Sequence, residues 1–381
     1  METMKIAFDG KRAVRNMTGL GNYSRLVIDV LSRTYPDNSY HLYTPSIKDN
    51  PRLEPLLHRN NVSIMLPDTF YGHRLGSLWR SINGLSRQLH RDGMSLFHGL
   101  SNELPMDIIK AEIPSVLTMH DVIFRRMPEC YGLIDRNIYD FKARRSCNDA
   151  TRIIAISECT KRDLIEYYNI NPDKIDVVYQ GCDPIFSRPI SDEDLKNTRT
   201  NFNLPERYII SVGTIETRKN QALAVKALPS LPKDVKLVIV GRRSGAYGNE
   251  LDRLIAEKSL SNRVIFLNNV PFNVLPILMK GAMFASYTSR YEGFGLPVIE
   301  AVTAGTPVIA ATGSCLEEAG GPGAFYVNAD NVDDYTEHAL TLINDPYLGR
   351  GMVTAGRDYM KRFNHENFAH AIMETYIKAM K

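Results

Sequence analysis

Cysteine is scarce in this 381-residue chain, and the few present are unpatterned. Cys130, Cys147, Cys159, Cys182 and Cys315 are odd in number, scattered, and form no Cys-x-x-Cys pair. That argues against a disulfide framework and a cysteine-rich zinc site, and for a reducing compartment. No stretch of about 18 apolar residues occurs, so no helix is expected to span a bilayer. The opening METMKIAFDG runs directly into a strand-like segment without the apolar core of a signal peptide. The expected location is cytoplasmic. Charge of one sign is also lacking: 46 Lys and Arg stand against 43 Asp and Glu, a formal +3, with no basic run. A nucleic-acid partner is therefore not expected. Metal-ligand spacing is missing too. His365 and His370 are five apart and do not share a helix face. Asp192-Glu193-Asp194 is formally an Asp-x-Asp, but SDEDLKNTR reads as the capped first turn of a surface helix.

What is present is a soluble composition, 44% hydrophobic and 23% charged, in a length that suits two domains. The most informative stretch is Ser289–Ala310, SRYEGFGLPVIEAVTAGTPVIA. An apolar run, Ala282–Ser286, reads as a buried strand leading into a turn with Gly293 and Gly295. Pro297 suits a first helical turn, Gly305 a helix end, and Pro307–Ala311 the start of another strand. A strand, glycine loop and helix in that order bring bare N–H groups to an anion. Glu292, just before the helix, is placed to meet hydroxyls beside a bound phosphate. Glu300, about two turns further on, is placed to hold a vicinal diol. Spacing alone leaves this phosphorylated-sugar reading level with a plain βα turn carrying solvated glutamates.

Other segments repeat the strand–loop–helix pattern. Lys5–Phe8 reads as a strand, followed by Thr18-Gly19-Leu20-Gly21-Asn22-Tyr23 and a helix from about Asn22 to Ser32. Ser115–Met119 is strand-like and ends at His120-Asp121, placing an imidazole where ligands collect in open α/β sheets. Composition turns polar between Ser187 and Pro205, which marks the expected domain boundary. Tyr208–Val212 then leads into Gly213 and the adjacent cations Arg218 and Lys219, with a helix expected from near Lys219. Such a pair can neutralise a diphosphate as it takes on charge. Arg74–Arg91 has apolar residues at helical spacing with arginines between them. Two readings stay open there, a helix packed on its own sheet and a basic amphipathic helix on an anionic membrane.

The Glu-x7-Glu pattern enclosing EGFGLPVIEA resembles the signature of the family 4 retaining glycosyltransferases. VGTIETRKN resembles that family's phosphate loop, and TMHDVIFRRMPECY its strand with a following His-Asp. The resemblance implies a GT-B fold: two doubly wound Rossmann-like α/β domains facing across a cleft. Residues 1–187 would form the acceptor-side domain, 188–364 the nucleotide-sugar domain, and 365–381 a helix crossing back to the first. It further implies transfer of a hexose from a nucleoside diphosphate sugar to a glycan or lipid-linked acceptor in cell-surface polysaccharide assembly. The general likeness to bacterial polysaccharide and lipopolysaccharide mannosyltransferases makes GDP-mannose the first donor; a UDP-sugar, an epimerase and a non-catalytic binder are the alternatives. Catalytic roles fall to His120, Arg218, Lys219 and Glu292. Donor contacts fall to Gly19, Gly21, Gly213, Gly293, Phe294, Gly295, Leu296 and Glu300. No metal or cofactor is implied, and a lipid-linked acceptor makes a peripheral seat at the inner membrane face sensible. One departure stands out: Thr214 follows Gly213 where many members have arginine, so Arg218 is expected to do that residue's work.

Overall fold

The computed structural model describes residues 3–68, 79, 84–243 and 245–381. The chain divides into two compact units, Met1–Gly181 with Asn364–Lys381, and Cys182–Phe363. The first is built on seven parallel strands: β1 (Lys5–Asp9), β2 (Ser39–Tyr43), β3 (Val62–Met65), β4 (Leu96–Gly99), β5 (Ser115–Met119), β6 (Arg152–Ala155) and β7 (Ile175–Val177). Their order is β3-β2-β1-β4-β5-β6-β7. The second has six: β8 (Tyr208–Val212), β9 (Lys236–Val240), β10 (Val264–Leu267), β11 (Phe284–Tyr287), β12 (Val308–Ala311) and β13 (Ala324–Val327). These run parallel in the order β10-β9-β8-β11-β12-β13. Helices cover both faces, which is why the central strands read as unbroken apolar runs rather than alternating ones. Phe284, Ala285, Val308 and Ile309 are fully buried.

Each sheet reverses its winding once, between β1 and β4 in the first unit and between β8 and β11 in the second. Loops leaving the carboxyl ends of those strands diverge there and open a crevice, the usual ligand position in a doubly wound sheet. The glycine loops lie after β1, β8 and β11. Topology therefore puts every one of them at a switch point.

The structure corrects several boundaries. The chain leaves the first unit at Gly181, ahead of the polar stretch that composition marks. Cys182 N–H already donates to Phe363 O at 2.9 Å, and Phe186 stacks edge-on to Phe272 with centroids 5.6 Å apart, so Cys182–Ser187 is anchored in the second unit. The polar segment itself is a helix, Asp192–Asn201, begun by a reciprocal capping box between Ser191 and Asp194. The first long helix is Gly19–Thr34, so both glycines lie inside its first turn rather than before it. A Cβ on Gly21 would sit 1.9 Å from Asn16 O, so that glycine serves a close backbone crossing. Gly19 has open space around it. The helix His365–Ala379 belongs to the first unit, where Lys378 pairs with Asp176 at 2.7 Å and Tyr376 reaches His98 at 2.7 Å. Of the basic amphipathic stretch Arg74–Arg91, only Trp79, Gly84 and the helix Leu85–Arg91 are described. The remainder of that expectation lies outside the described residues.

Candidate active site

In the second unit two loops meet at the switch point. After β8 the chain makes a tight 3-10 turn, Thr217–Lys219, and the regular helix starts only at Ala222, later than the sequence suggests. Asn220 ends that turn in the left-handed region, φ +52°. Asparagine tolerates that conformation, and here its side chain serves as well. Asn220 Nδ2 donates to Ala329 O at 2.8 Å and to Thr288 O at 3.3 Å. Thr288 Oγ1 returns a bond to Asn220 O at 2.9 Å, and Arg290 N–H donates to Arg218 O at 2.8 Å. The loop after β8 is thus stitched to the loop after β11, and the cations are held by backbone.

That stitching brings Arg218, Lys219 and Glu292 together. Glu292 Oε1 lies 2.5 Å from Lys219 Nζ, and its Oε2 lies 2.7 Å from Arg218 Nη1. Arg218 Nη1 also donates to Tyr291 O at 2.8 Å, and its Nη2 pairs with Glu216 at 2.7 Å. Cys315 Sγ donates to Glu292 O at 3.2 Å, fixing the backbone that carries the carboxylate. Burial alone would raise the Glu292 carboxyl, but Lys219 and Arg218 outweigh it and hold the group down to about 2. Glu292 is ionised at every physiological pH. The sequence reading gave Glu292 a role with hydroxyls and the cations a role with phosphate; it did not anticipate that the three form one cluster.

Gly295 stands at the N-cap of the helix Leu296–Ala304 with φ +91°. A side chain there would be strained by that φ, and its Cβ would also crowd Leu316 Cδ2 at 2.7 Å and Ala319 Cβ at 3.2 Å. Phe294 is buried edge-on against Phe363, centroids 5.6 Å apart, and so anchors the loop from beneath. Gly305 closes the helix at φ +94°. Glu300 faces inward and is 9% exposed. Burial, reinforced by Asp183, raises its carboxyl to about 8, so at neutral pH it carries a proton, which sequence gave no way to see. Because the folded state holds that proton and the unfolded state releases it near 4.5, this group's contribution makes the protein less stable as pH rises from about 4.5 to about 8. We expect Glu300→Gln to flatten that part of the stability profile, read as urea midpoints between pH 5 and 9. An unchanged slope in the variant would mean that Glu300 is ionised in the folded state.

In the first unit His120 follows β5 and is 8% exposed. Its Nε2 lies 2.9 Å from Leu100 O. A carbonyl oxygen only accepts, so Nε2 carries the proton. Burial drives the imidazole down to about 4, so the ring is neutral and Nδ1 is left as an acceptor. Tyr23 packs edge-on against it with centroids 4.6 Å apart. Behind them lies a buried polar chain absent from the sequence reading: Tyr23 Oη to Thr118 Oγ1 at 3.2 Å, Thr118 to His98 Nε2 at 2.8 Å, and His98 Nδ1 to Tyr376 Oη at 2.7 Å. Its only sequence trace is a histidine inside an apolar strand. Asp121 Oδ1 accepts from Ile123 N–H at 3.1 Å and so caps the following turn.

Two doubly wound α/β units with glycine loops, paired cations and a buried carboxylate at a switch point define a protein that handles a phosphorylated small molecule. Comparison with known proteins makes this specific. Residues 192–359 match the family model for glycosyl transferases group 1, and residues 19–186 match that for glycosyltransferase family 4. The chain belongs to the family 4 glycosyltransferases and resembles lipopolysaccharide mannosyltransferases. It is 28% identical over 286 residues, 74% of each chain, to the O-antigen chain mannosyltransferase B of Escherichia coli. It is 26% identical to the O-antigen chain mannosyltransferase RfbU of Salmonella typhimurium, covering 67% of each. Among solved structures, Anabaena Alr3699/HepE in complex with UDP and glucose superposes with a TM-score of 0.76, at 21% identity, covering 98% of this chain and 100% of that one. The fold is GT-B.

Proposed function

We propose that the protein is a retaining, metal-independent hexosyltransferase of cell-surface polysaccharide assembly. It moves a sugar, mannose from GDP-mannose as the first reading, to a hydroxyl of a glycan or lipid-linked acceptor. The observation that carries this reading is the junction of Arg218 and Lys219 with Glu292 beside the Gly295 helix start. Two largely buried cations and a helix N-terminus suit a group gaining negative charge, the leaving diphosphate, and together they take the part a divalent ion plays elsewhere. Departure of the diphosphate gives an oxocarbenium-like sugar; the acceptor enters on the same face and its proton passes to the leaving phosphate. Glu292 orients sugar hydroxyls and Glu300 the ribose diol. His120, neutral with Nδ1 as acceptor, takes a hydrogen bond from the transferred sugar rather than a proton from the acceptor.

Mannose is favoured by the O-antigen relatives; UDP-glucose is the second reading, because the Anabaena structures hold UDP with glucose or UDP-glucose. The test is nucleotide release and thermal shift across UDP-, GDP- and ADP-sugars, with EDTA present throughout. Turnover or stabilisation by one donor, unchanged by EDTA, supports the reading and names the donor. Loss of activity in EDTA removes metal independence, stabilisation without turnover on any acceptor favours a binder, and no response to any donor removes the reading.

A further inference from the structure

Arg218 and Lys219 are already matched by carboxylates. Glu216 and Glu292 oppose them, so the four formal charges cancel before any ligand arrives. Both oxygens of Glu292 are engaged, and its side chain is only 13% exposed. A diphosphate cannot take these cations while the buried carboxylate keeps them, and a displaced carboxylate in that position needs new donors. Resting on the donor-site reading above, we propose that Glu292 is an exchangeable internal anion. It holds Arg218 and Lys219 until a donor binds, yields them to the incoming diphosphate, and turns to the hydroxyls of the attached sugar.

The exchange makes the site discriminate between substrate and product. An intact nucleoside diphosphate sugar supplies both halves, phosphate oxygens for the cations and hydroxyl donors for the displaced carboxylate. A bare nucleoside diphosphate supplies only the first and leaves Glu292 buried with no cation opposite it and, of its present partners, only the Ser289 hydroxyl. Once the sugar has been transferred, Glu292 returns to the two cations and drives the nucleotide off. The same carboxylate thereby positions substrate before transfer and ejects product after it.

The test is the ratio of two dissociation constants, nucleoside diphosphate over nucleoside diphosphate sugar, by calorimetry in EDTA. GDP with GDP-mannose and UDP with UDP-glucose are the two probe pairs. Wild type should prefer the sugar nucleotide. Glu292→Gln, with no charge to displace, should bind the bare diphosphate about tenfold more tightly and shrink the preference by a similar factor. Plain removal of a negative charge would tighten both ligands equally and leave the ratio fixed. Glu216→Gln, on the more exposed side of Arg218, is the reference for that effect, and thermal midpoints confirm that each variant is folded. An unchanged ratio in Glu292→Gln, or an equal change in Glu216→Gln, overturns the exchange. If neither pair binds any of the three proteins, the donor-site reading itself fails.

Discussion

Replacing Lys219 by alanine is expected to lower kcat by about 10²–10³-fold, the cost usual for losing one preorganised group that meets developing charge. The ammonium sits 2.5 Å from Glu292 and is 18% exposed, so it acts in a partly dehydrated setting where a charge counts for more than in water. Charge on the bridging oxygen grows as the sugar departs, so kcat should fall by more than the donor KM rises. The fold should survive. Glu292 keeps Arg218 at 2.7 Å, which avoids the roughly 3–5 kcal/mol penalty of a buried charge left with no partner. The measurement is steady-state kinetics with a thermal midpoint on the same sample. A folded variant within about threefold of wild-type kcat would take Lys219 out of the transition state.

The sequence made the order of elements legible and left much of the site's physics hidden. Strand-long apolar runs such as KLVIV and VIAA, bracketed by glycine and proline, locate the parallel sheets because strands buried on both faces tolerate little else. The helix after Gly295 reads correctly from Pro297 to Gly305, since both residues act through local backbone geometry. Contacts distant in sequence are another matter. The Arg218–Glu292 pair spans two loops joined by the β8–β11 pairing, by the two hydrogen bonds between Asn220 and Thr288, and by Arg290 N–H to Arg218 O. The protonation of Glu300 depends on burial and on Asp183, which local pattern does not encode. His98 shows the same limit: a histidine in a strand gives no hint that Thr118 and Tyr376 bracket both its nitrogens. Gly19 and Gly21 look alike in sequence, yet only Gly21 meets a backbone too close for a side chain.

A single glycine with no motif around it should give the largest structural effect. Gly241 directly follows β9, and a Cβ there would lie 1.9 Å from Gly213 O, 2.7 Å from Gly213 C and 3.4 Å from Thr214 N. All three are backbone atoms, so no rotamer change can relieve the contact. Retreat of the loop after β8 is also resisted, because Gly213 N–H donates to Val240 O at 2.9 Å and Ile215 N–H donates to Arg242 O at 2.9 Å. Gly241→Ala must break those bonds or move the loop that carries Arg218 and Lys219. We expect a loss of about 2–4 kcal/mol in unfolding free energy together with a donor KM raised by an order of magnitude or more. Gly351→Ala is the matched control: it lies in the helix Pro346–Met360 with open space around it, where alanine should leave stability equal or improved. Should Gly241→Ala match wild type in both midpoint and KM, the loop after β8 is not pinned by β9. The placement of Arg218 and Lys219 would then rest on the bonds to the loop after β11, Asn220 with Thr288 and Arg290 N–H with Arg218 O. A destabilised variant with normal KM would separate the two roles, with Gly241 serving the sheet and the loop keeping its place without it.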